Sequence, residues 1–114
     1  METTLDYKNS TPTQPMSSQV TDARRKSDLL VIQSALDQYF TNTNQTYPDT
    51  LEALVPVFLA IMHQDPMTHI PYSYIKVESN DYQLCATFDE YVENDSHTVC
   101  FSSEKRVSDL VLPQ

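Results

Sequence analysis

The sequence of 114 residues contains no glycine. Glycine usually supplies about 7% of residues and most of the backbone positions with positive φ. Asparagine and aspartate tolerate that conformation best among the other residues, so we expect them to form the turns. The candidate positions are Asn42, Asn44, Asn80, Asp81, Asn94 and Asp95. Without glycine, phosphate-cradling loops in their usual form and the glycine elbow of a nucleophilic serine are excluded.

The chain also lacks long apolar segments. No stretch of about 18 apolar residues occurs that could span a membrane, and the first 20 residues have neither the charged start nor the apolar middle of a signal peptide. Residues 1–19 are rich in Thr, Ser, Gln and Pro, a composition that offers little burial to offset the entropy lost on ordering. We therefore predict a flexible leader or tail over residues 1–19.

Positive charge is scarce. The 7 Lys and Arg residues against 16 Asp and Glu residues give a net charge of -9 and an isoelectric point near 4.4. Such a surface repels polyanions, which argues against nucleic acid and anionic membrane surfaces as direct partners. The basic run Arg24, Arg25 and Lys26 is short and flanked by Asp22 and Asp28, so a solvated helix start is favoured over a nucleic-acid patch.

Length and composition predict one folded domain. A chain of this size leaves little room for two independent cores, and 39% hydrophobic with 10% aromatic residues is enough for one. We place the globular domain at residues 20–104 and a C-terminal tail at residues 105–114.

Apolar residues recur at helical spacing between about residue 21 and residue 40, with no proline to interrupt them. Thr21 is the candidate N-cap. Leu30 falls on the polar side, either as a lone exposed apolar residue or as a contact to another subunit. The stripe that we expect to face the core consists of Leu29, Ile32, Leu36 and Phe40.

A short second helix is predicted from residue 49 to about residue 55. Asp49 can act as its N-cap, Glu52 lies three residues later as in a capping box, and Pro56 prevents its continuation. The apolar side chains in and after this helix need burial: Leu51, Leu54, Val55, Phe58, Leu59, Ile61 and Met62.

Three strands follow, at residues 72–77, 82–88 and 98–102, and pair as an antiparallel meander. The α+β fold that we predict is a long N-terminal amphipathic helix packed on this three-stranded sheet. The expected register pairs Ile75 with Leu84 and Leu84 with Phe101, so these side chains share the face that meets the helix. Tyr72 and Tyr74 then lie on the outer face, where they either simply cover the sheet or form a binding surface.

The same register sets Cys85 opposite Cys100 on the outer face. A disulfide there closes a loop of about 15 residues and adds about 3 kcal/mol on the chain-entropy model; two free buried thiols are the alternative. A disulfide also indicates an oxidising compartment such as a periplasm.

The order of these elements resembles the soluble heads of type IV pilins and type II secretion pseudopilins, from Asp22 to about Phe88. The segments that carry the resemblance are DARRKSDLLVIQSALDQYF, TYPDTLEALVP, QDP, PYSYIKV and DYQLCATFDE. The resemblance implies a structural subunit of a pilus or a secretion pseudopilus. In this family the first half of the helix anchors the protein in the inner membrane and later packs in the filament core.

The sequence departs from the family before the helix. The cleavage and methylation motif and the apolar stem are absent, and residues 1–19 occupy their place. The resemblance implies partners that include further copies, other pilins and assembly platform proteins, all reached through a stem. It implies residence in the inner membrane and periplasm before assembly and in a surface or periplasmic filament afterwards, whereas this chain alone is expected to be soluble. The alternative is a secreted binding or adhesion module that does not polymerise.

Residues suited to metal binding occur in two places, His63, Asp65 and His69, and the acidic run Asp89, Glu90, Glu93 and Asp95. The first spacing matches no familiar metal motif and favours a surface loop. The acidic run lacks the glycine and the alternation of a calcium loop and favours a solvated hairpin tip. No acid, base and nucleophile converge. We expect neither enzymatic activity nor a bound cofactor.

Overall fold

A long helix and a three-stranded antiparallel sheet make up the computed structural model, which describes residues 17–113. The elements in chain order are the helix α1 (Ser18–Asn42), a 3-10 helix (Leu51–Leu54), the strands β1 (Ser73–Glu78), β2 (Asp81–Thr87) and β3 (Thr98–Phe101), and a second 3-10 helix (Val107–Asp109). This order confirms the predicted α+β architecture. The predicted leader lies, as far as residue 16, outside the described residues.

The helix α1 begins earlier than predicted. Ser17 is its N-cap, with extended backbone and a side-chain Oγ that accepts a hydrogen bond from the Val20 N–H at 3.2 Å. The prediction of Thr21 as the cap is wrong. Because no helix breaker separates the two residues, the helix runs through Thr21, whose hydroxyl donates to the Ser17 carbonyl at 2.9 Å.

The core lies between α1 and one face of the sheet. Leu29, Ile32 and Leu36 are fully buried, as predicted, and Phe40 is half-buried against them. The sheet contributes Tyr82, Leu84, Ala86, Phe88, Val99 and Phe101, all buried. This packing supplies most of the hydrophobic stabilisation of the domain.

The segment predicted as a second α-helix forms one 3-10 turn, Leu51–Leu54. Leu51 and Leu54 are buried, as expected from their apolar character. Asp49 does not cap the turn, since Thr50 occupies that position, and its carboxylate instead lies 3.2 Å from Lys76 Nζ. Pro56 follows two residues after Leu54 and prevents the 3-10 turn from continuing as an α-helix.

The pairing of β2 with β3 has the predicted register. Leu84 lies opposite Phe101, and Cys85 lies opposite Cys100 with their Cα atoms 4.0 Å apart. The two cysteines form the predicted disulfide on the face of the sheet that points away from α1.

The predicted register of β1 is wrong by one residue. Tyr74 pairs with Leu84, so Ile75 faces away from α1 and is 56% exposed, while Tyr72 is buried. The hairpin closes with Glu78 opposite Asp81, and a bulge between Lys76 and Glu78 shifts the strand. A shift by one residue exchanges the two faces of a strand.

Tyrosine burial explains why this register is favoured. The Tyr72 hydroxyl donates to Asp28 Oδ2 at 2.8 Å, and the Tyr74 hydroxyl donates to the Pro48 carbonyl at 2.6 Å. Two aromatic rings bury more apolar surface than Ile75 and Val77, and both hydroxyls find partners.

The core extends beyond the predicted domain boundary at residue 104. Val107 and Leu110, in the segment predicted as a C-terminal tail, are buried. Gln33 Oε1 accepts a hydrogen bond from the Val107 N–H at 2.7 Å, and Lys26 Nζ donates to the Leu110 carbonyl at 2.6 Å. Side chains of α1 therefore hold this segment in place.

Three of the six candidate turn residues have positive φ: Asn44, Asn94 and Asp95. Gln45 and His69 also have positive φ, although neither was among the predicted positions. The turn at Asn80 and Asp81 forms without a positive φ. Asn and Asp thus replace glycine at some turns, and surrounding contacts impose the conformation at others.

Candidate functional site

A stripe of uncharged side chains runs along the side of α1 that faces away from the sheet. Apart from the adjacent Leu30 and Val31, successive members are three or four residues apart and therefore share one side of the helix. The exposed fraction is 52% for Val20, 38% for Leu30 and 44% for Val31. We call this stripe the uncharged helix face, and it consists of Val20, Ala23, Ser27, Leu30, Val31 and Ser34.

Grooves continue this face on both sides. A groove of about 570 Å³ separates Ala23 and Leu30 from Val111 in the C-terminal segment. A hollow of about 280 Å³ lies between Val31 and Phe58. On a chain with a net charge of -9, an uncharged and partly aliphatic strip is suited to burial against another protein.

A cluster of charged residues fixes the N-terminal part of α1 to the rest of the domain. The Arg25 guanidinium, whose side chain is 4% exposed, donates from Nε to Asp65 Oδ2 at 2.8 Å and from Nη2 to Asp65 Oδ1 at 3.1 Å. Its Nη1 donates to Asp22 at 2.9 Å and lies 3.2 Å from Asp89 Oδ2. We call these four residues, Asp22, Arg25, Asp65 and Asp89, the Arg25 cluster.

The carboxylates of the Arg25 cluster also bind the backbone. Asp22 accepts hydrogen bonds from the N–H groups of Asp89 at 2.7 Å and Glu90 at 2.8 Å. Asp65 accepts from the N–H groups of Met67 at 2.8 Å and Thr68 at 3.2 Å. The cluster therefore joins α1 to the loop before β1 and to the loop after β2.

Burial and hydrogen bonding shift the pKa values of Arg25 and Asp65 in opposite directions. Burial alone would lower the pKa of Arg25, but hydrogen bonds to Asp65, Asp22 and Asp89 outweigh it, and the pKa is raised above its ordinary value. Burial would raise the pKa of Asp65, but the hydrogen bonds from Arg25 and from two backbone N–H groups lower it. Both groups are thus held in their charged forms.

A second polar contact lies one helical turn further along. Asp28 Oδ2 accepts a hydrogen bond from the Tyr72 hydroxyl at 2.8 Å, and Asp28 Oδ1 lies 3.3 Å from His63 Nδ1. Burial and this hydrogen bond raise the pKa of Tyr72. The pair attaches α1 to the start of β1.

Gln33 connects α1 to the C-terminal end of the sheet. Its Nε2 donates to the Tyr82 hydroxyl at 2.7 Å and to the Ser102 carbonyl at 3.0 Å, while Oε1 accepts from Val107. Burial raises the pKa of Tyr82 to about 12. Gln33 is itself buried.

Five of the seven residues considered for metal binding contact other side chains. Both carboxylate oxygens of Asp65 accept hydrogen bonds from Arg25, and His63 contacts Asp28. In the acidic hairpin, Asp89 pairs with Arg25, Glu90 accepts from Ser18 Oγ, and Glu93 pairs with Lys105. Within residues 17–113, no group of three or more such side chains is arranged to hold a metal ion.

The Arg25 cluster is the main feature that sequence reasoning missed. The basic run was predicted to be a solvated helix start, yet its three side chains diverge. Arg24 is exposed, Arg25 is buried, and Lys26 reaches Leu110. One signal was present: Asp22 and Arg25 are three residues apart on the side of α1 that also carries Leu29.

No helix within the described residues is long and apolar enough to cross a membrane. Comparisons of the chain with models of known protein families, with curated proteins and with solved structures gave no match.

Proposed function

We propose that this chain is the head of a filament subunit of the type IV pilin or type II secretion pseudopilin kind. The observation that carries the proposal is the uncharged helix face, because a helix used as a filament interface needs one side for its own head and another for neighbouring subunits. In α1 the first side holds Leu29 and Ile32, and the second holds Leu30 and Val31.

The anchoring of α1 supports the same function. A subunit that transmits force between neighbours needs a helix that cannot separate from its head. The Arg25 cluster, the Asp28 to Tyr72 hydrogen bond and the Gln33 contacts fix α1 at three successive levels. The disulfide between Cys85 and Cys100 covalently links β2 to β3, and such bonds persist in oxidising compartments outside the cytosol.

The proposed partners follow from this function. They are further copies of the chain, other pilins and the platform proteins that assemble them. Before assembly, a subunit of this kind would reside in the inner membrane and periplasm, held by an apolar stem, and afterwards in the filament.

The test is incorporation into a filament. The membrane-spanning stem of a type IV pilin is placed before Ser18, and the fusion is expressed in a bacterium that assembles that pilus. Antibody labelling and mass spectrometry of sheared filaments then report whether the head is present. The proposal expects heads along the filaments. A protein that folds, reaches the membrane and never enters filaments would instead be a binding module that does not polymerise.

A matched pair of variants tests the role of the uncharged helix face. Leu30→Asp places a charge on the face and should prevent incorporation. Val92→Asp places the same charge in the loop between β2 and β3. This site is similarly exposed, since Val92 has an exposed fraction of 49%. This variant should leave incorporation unchanged. Equal incorporation of both variants would show that this face is not the filament contact.

A further inference from the structure

The strand β1 forms one edge of the sheet. The strand order is β1, β2, β3, so within the described residues β1 pairs with β2 alone, while Pro71 just before it forms an isolated bridge with Gln64. Among the described residues, no backbone group outside the sheet forms a hydrogen bond with Tyr74 or Lys76. An open edge of this kind can pair with another strand.

The register identifies which backbone groups point outward. The Phe88 N–H donates to the His97 carbonyl at 2.8 Å. Backbone groups of the residues two and four positions before Phe88 therefore also form hydrogen bonds with β3. Those of the alternate residues form hydrogen bonds with β1. Gln83 is one of those alternate residues, and it lies opposite Ile75. Ile75 therefore bonds towards β2, while the N–H and C=O groups of Tyr74 and Lys76 point to the open edge.

The side chains along this edge have a distinct pattern. Ile75 and Val77, 56% and 57% exposed, are on the outer face. On the core face, a hollow of about 160 Å³ lies beside Tyr74 and is lined by the acidic residues Asp49 and Glu52. A strand added here needs aliphatic side chains on the outer face. On the core face it needs a cationic side chain with a long aliphatic chain.

We propose that the occupant of this edge is β1 of a second copy of the chain, paired antiparallel about a twofold axis. Its own sequence, Ile75, Lys76 and Val77, has the required alternation of aliphatic, cationic and aliphatic side chains. Two identical strands paired in this way extend the sheet from three strands to six, with both copies of α1 on one side. The proposal concerns the head alone and does not depend on filament assembly.

Charge selects the register of this pairing. Centring the twofold axis on Lys76 would oppose two ammonium groups, which is unfavourable. Centring it on Ile75 places Ile75 against Ile75 of the second copy and Lys76 against Tyr74. The ammonium group would then exchange its contact with Asp49 of its own chain for a position beside Asp49 and Glu52 across the axis. This register also ends before the bulge that follows Lys76.

One pair of edge strands buries a small area compared with the roughly 1,200 to 2,000 Å² of surface that a stable interface buries. The dimer should therefore be reversible, and covalent trapping is the appropriate measurement. Residues that oppose each other in a non-hydrogen-bonded pair have Cα atoms about 4.5 Å apart, within the range of a disulfide. Ile75 and its copy form such a pair, whereas Val77 and its copy are separated by about 14 Å along the strands.

The experiment compares Ile75→Cys with Val77→Cys in the full 114-residue chain. The two positions have nearly equal exposure, and both variants keep the native disulfide. Under mild oxidation we expect a disulfide-linked dimer from Ile75→Cys and only background from Val77→Cys. Peptide mapping must locate the new bond between the two introduced cysteines. No dimer from Ile75→Cys, or equal yields from both variants, would overturn the proposal.

A second comparison tests the charge argument. Adding Lys76→Glu to Ile75→Cys removes the contact with Asp49 of the same chain and places a carboxylate beside Asp49 and Glu52 of the other copy, so the dimer should disappear. Adding Lys105→Glu changes the net charge equally but lies beyond the opposite edge of the sheet, and the dimer should persist. Circular dichroism checks that all variants fold. Persistence of the dimer with Lys76→Glu would show that a strand pairing of another register, or a random collision, forms the bond.

Discussion

The guanidinium group of Arg25 and the carboxylate of Asp65, 40 residues apart in the chain, form two parallel hydrogen bonds of 2.8 and 3.1 Å. This contact fixes α1 to the loop before β1. Removing the cation leaves Asp22 and Asp65 as buried anions without their main partner, so Arg25→Ala should lower the free energy of unfolding by about 3 to 5 kcal/mol. Urea denaturation measures the change.

The control for Arg25→Ala is its neighbour. Arg24 is 60% exposed and lies 3.9 Å from Asp28, so Arg24→Ala should cost less than about 1 kcal/mol. Equal costs at the two positions would mean that the Arg25 cluster is not buried in solution.

The same cluster predicts sensitivity to acid. Because the pKa of Asp65 is lower in the folded protein than in the unfolded chain, its carboxylate stabilises the fold above the ordinary aspartate pKa of about 4. That stabilisation is lost as pH falls through the lowered value. Asp65→Asn should therefore reduce stability at neutral pH, yet show a smaller further loss between about pH 5 and about pH 2. Asp109→Asn, at an exposed site, provides the control and should leave the free energy of unfolding at neutral pH nearly unchanged.

The register of β1 can be tested with two adjacent residues. Tyr74 packs against Tyr82 with ring centroids 5.8 Å apart and is half-buried, so Tyr74→Ala should cost about 2 to 4 kcal/mol. Ile75→Ala, at an exposed site, should cost about 0.5 kcal/mol or less. The opposite ranking in thermal or urea unfolding would support the register in which Ile75 faces α1.

The disulfide should contribute measurably to stability. The bond between Cys85 and Cys100 spans 15 residues, and closing such a loop stabilises a fold by about 3 kcal/mol on the chain-entropy model. Replacing both cysteines with serine should lower the melting temperature. A reductant should lower it similarly in the unmodified chain and leave the serine variant unaffected. Two titratable thiols in the native, unreduced protein would refute the bond.

Gln33 should control the C-terminal segment. Gln33→Met keeps the length of the side chain but leaves the Val107 N–H without its acceptor, at a cost of about 1 to 3 kcal/mol. Hydrogen exchange at Val107 should become faster. Gln38→Met, on the exposed side of α1, is the matched control and should leave that exchange unchanged.

The elements that could be predicted were those determined by local pattern. The spacing of Leu29, Ile32 and Leu36 is enough to place the buried side of α1, because helical geometry puts residues three and four apart on one side. Alternation and loop symmetry were enough to set Cys85 opposite Cys100, since no bulge interrupts that hairpin. The uncharged helix face could be recognised in part, through Leu30 alone.

The first hairpin shows the limit of such patterns. An alternating strand fits either face equally well when both sets of side chains are apolar or aromatic. Ile75 and Val77 suit a core by hydrophobicity. Tyr72 and Tyr74 suit it only if their hydroxyl groups find acceptors, and Asp28 and the Pro48 carbonyl, which provide them, are far away in the sequence.

The sequence by itself determined the long helix, the three strands, the core-facing stripe of α1 and the disulfide pairing, because each depends on periodicity within a short segment. Only the tertiary structure decided which face of β1 is buried and that Arg25 lies in the interior among three aspartates. The reason is physical: the cost of burying a charge or a hydroxyl depends on partners brought together by the fold, and residue type alone does not reveal them.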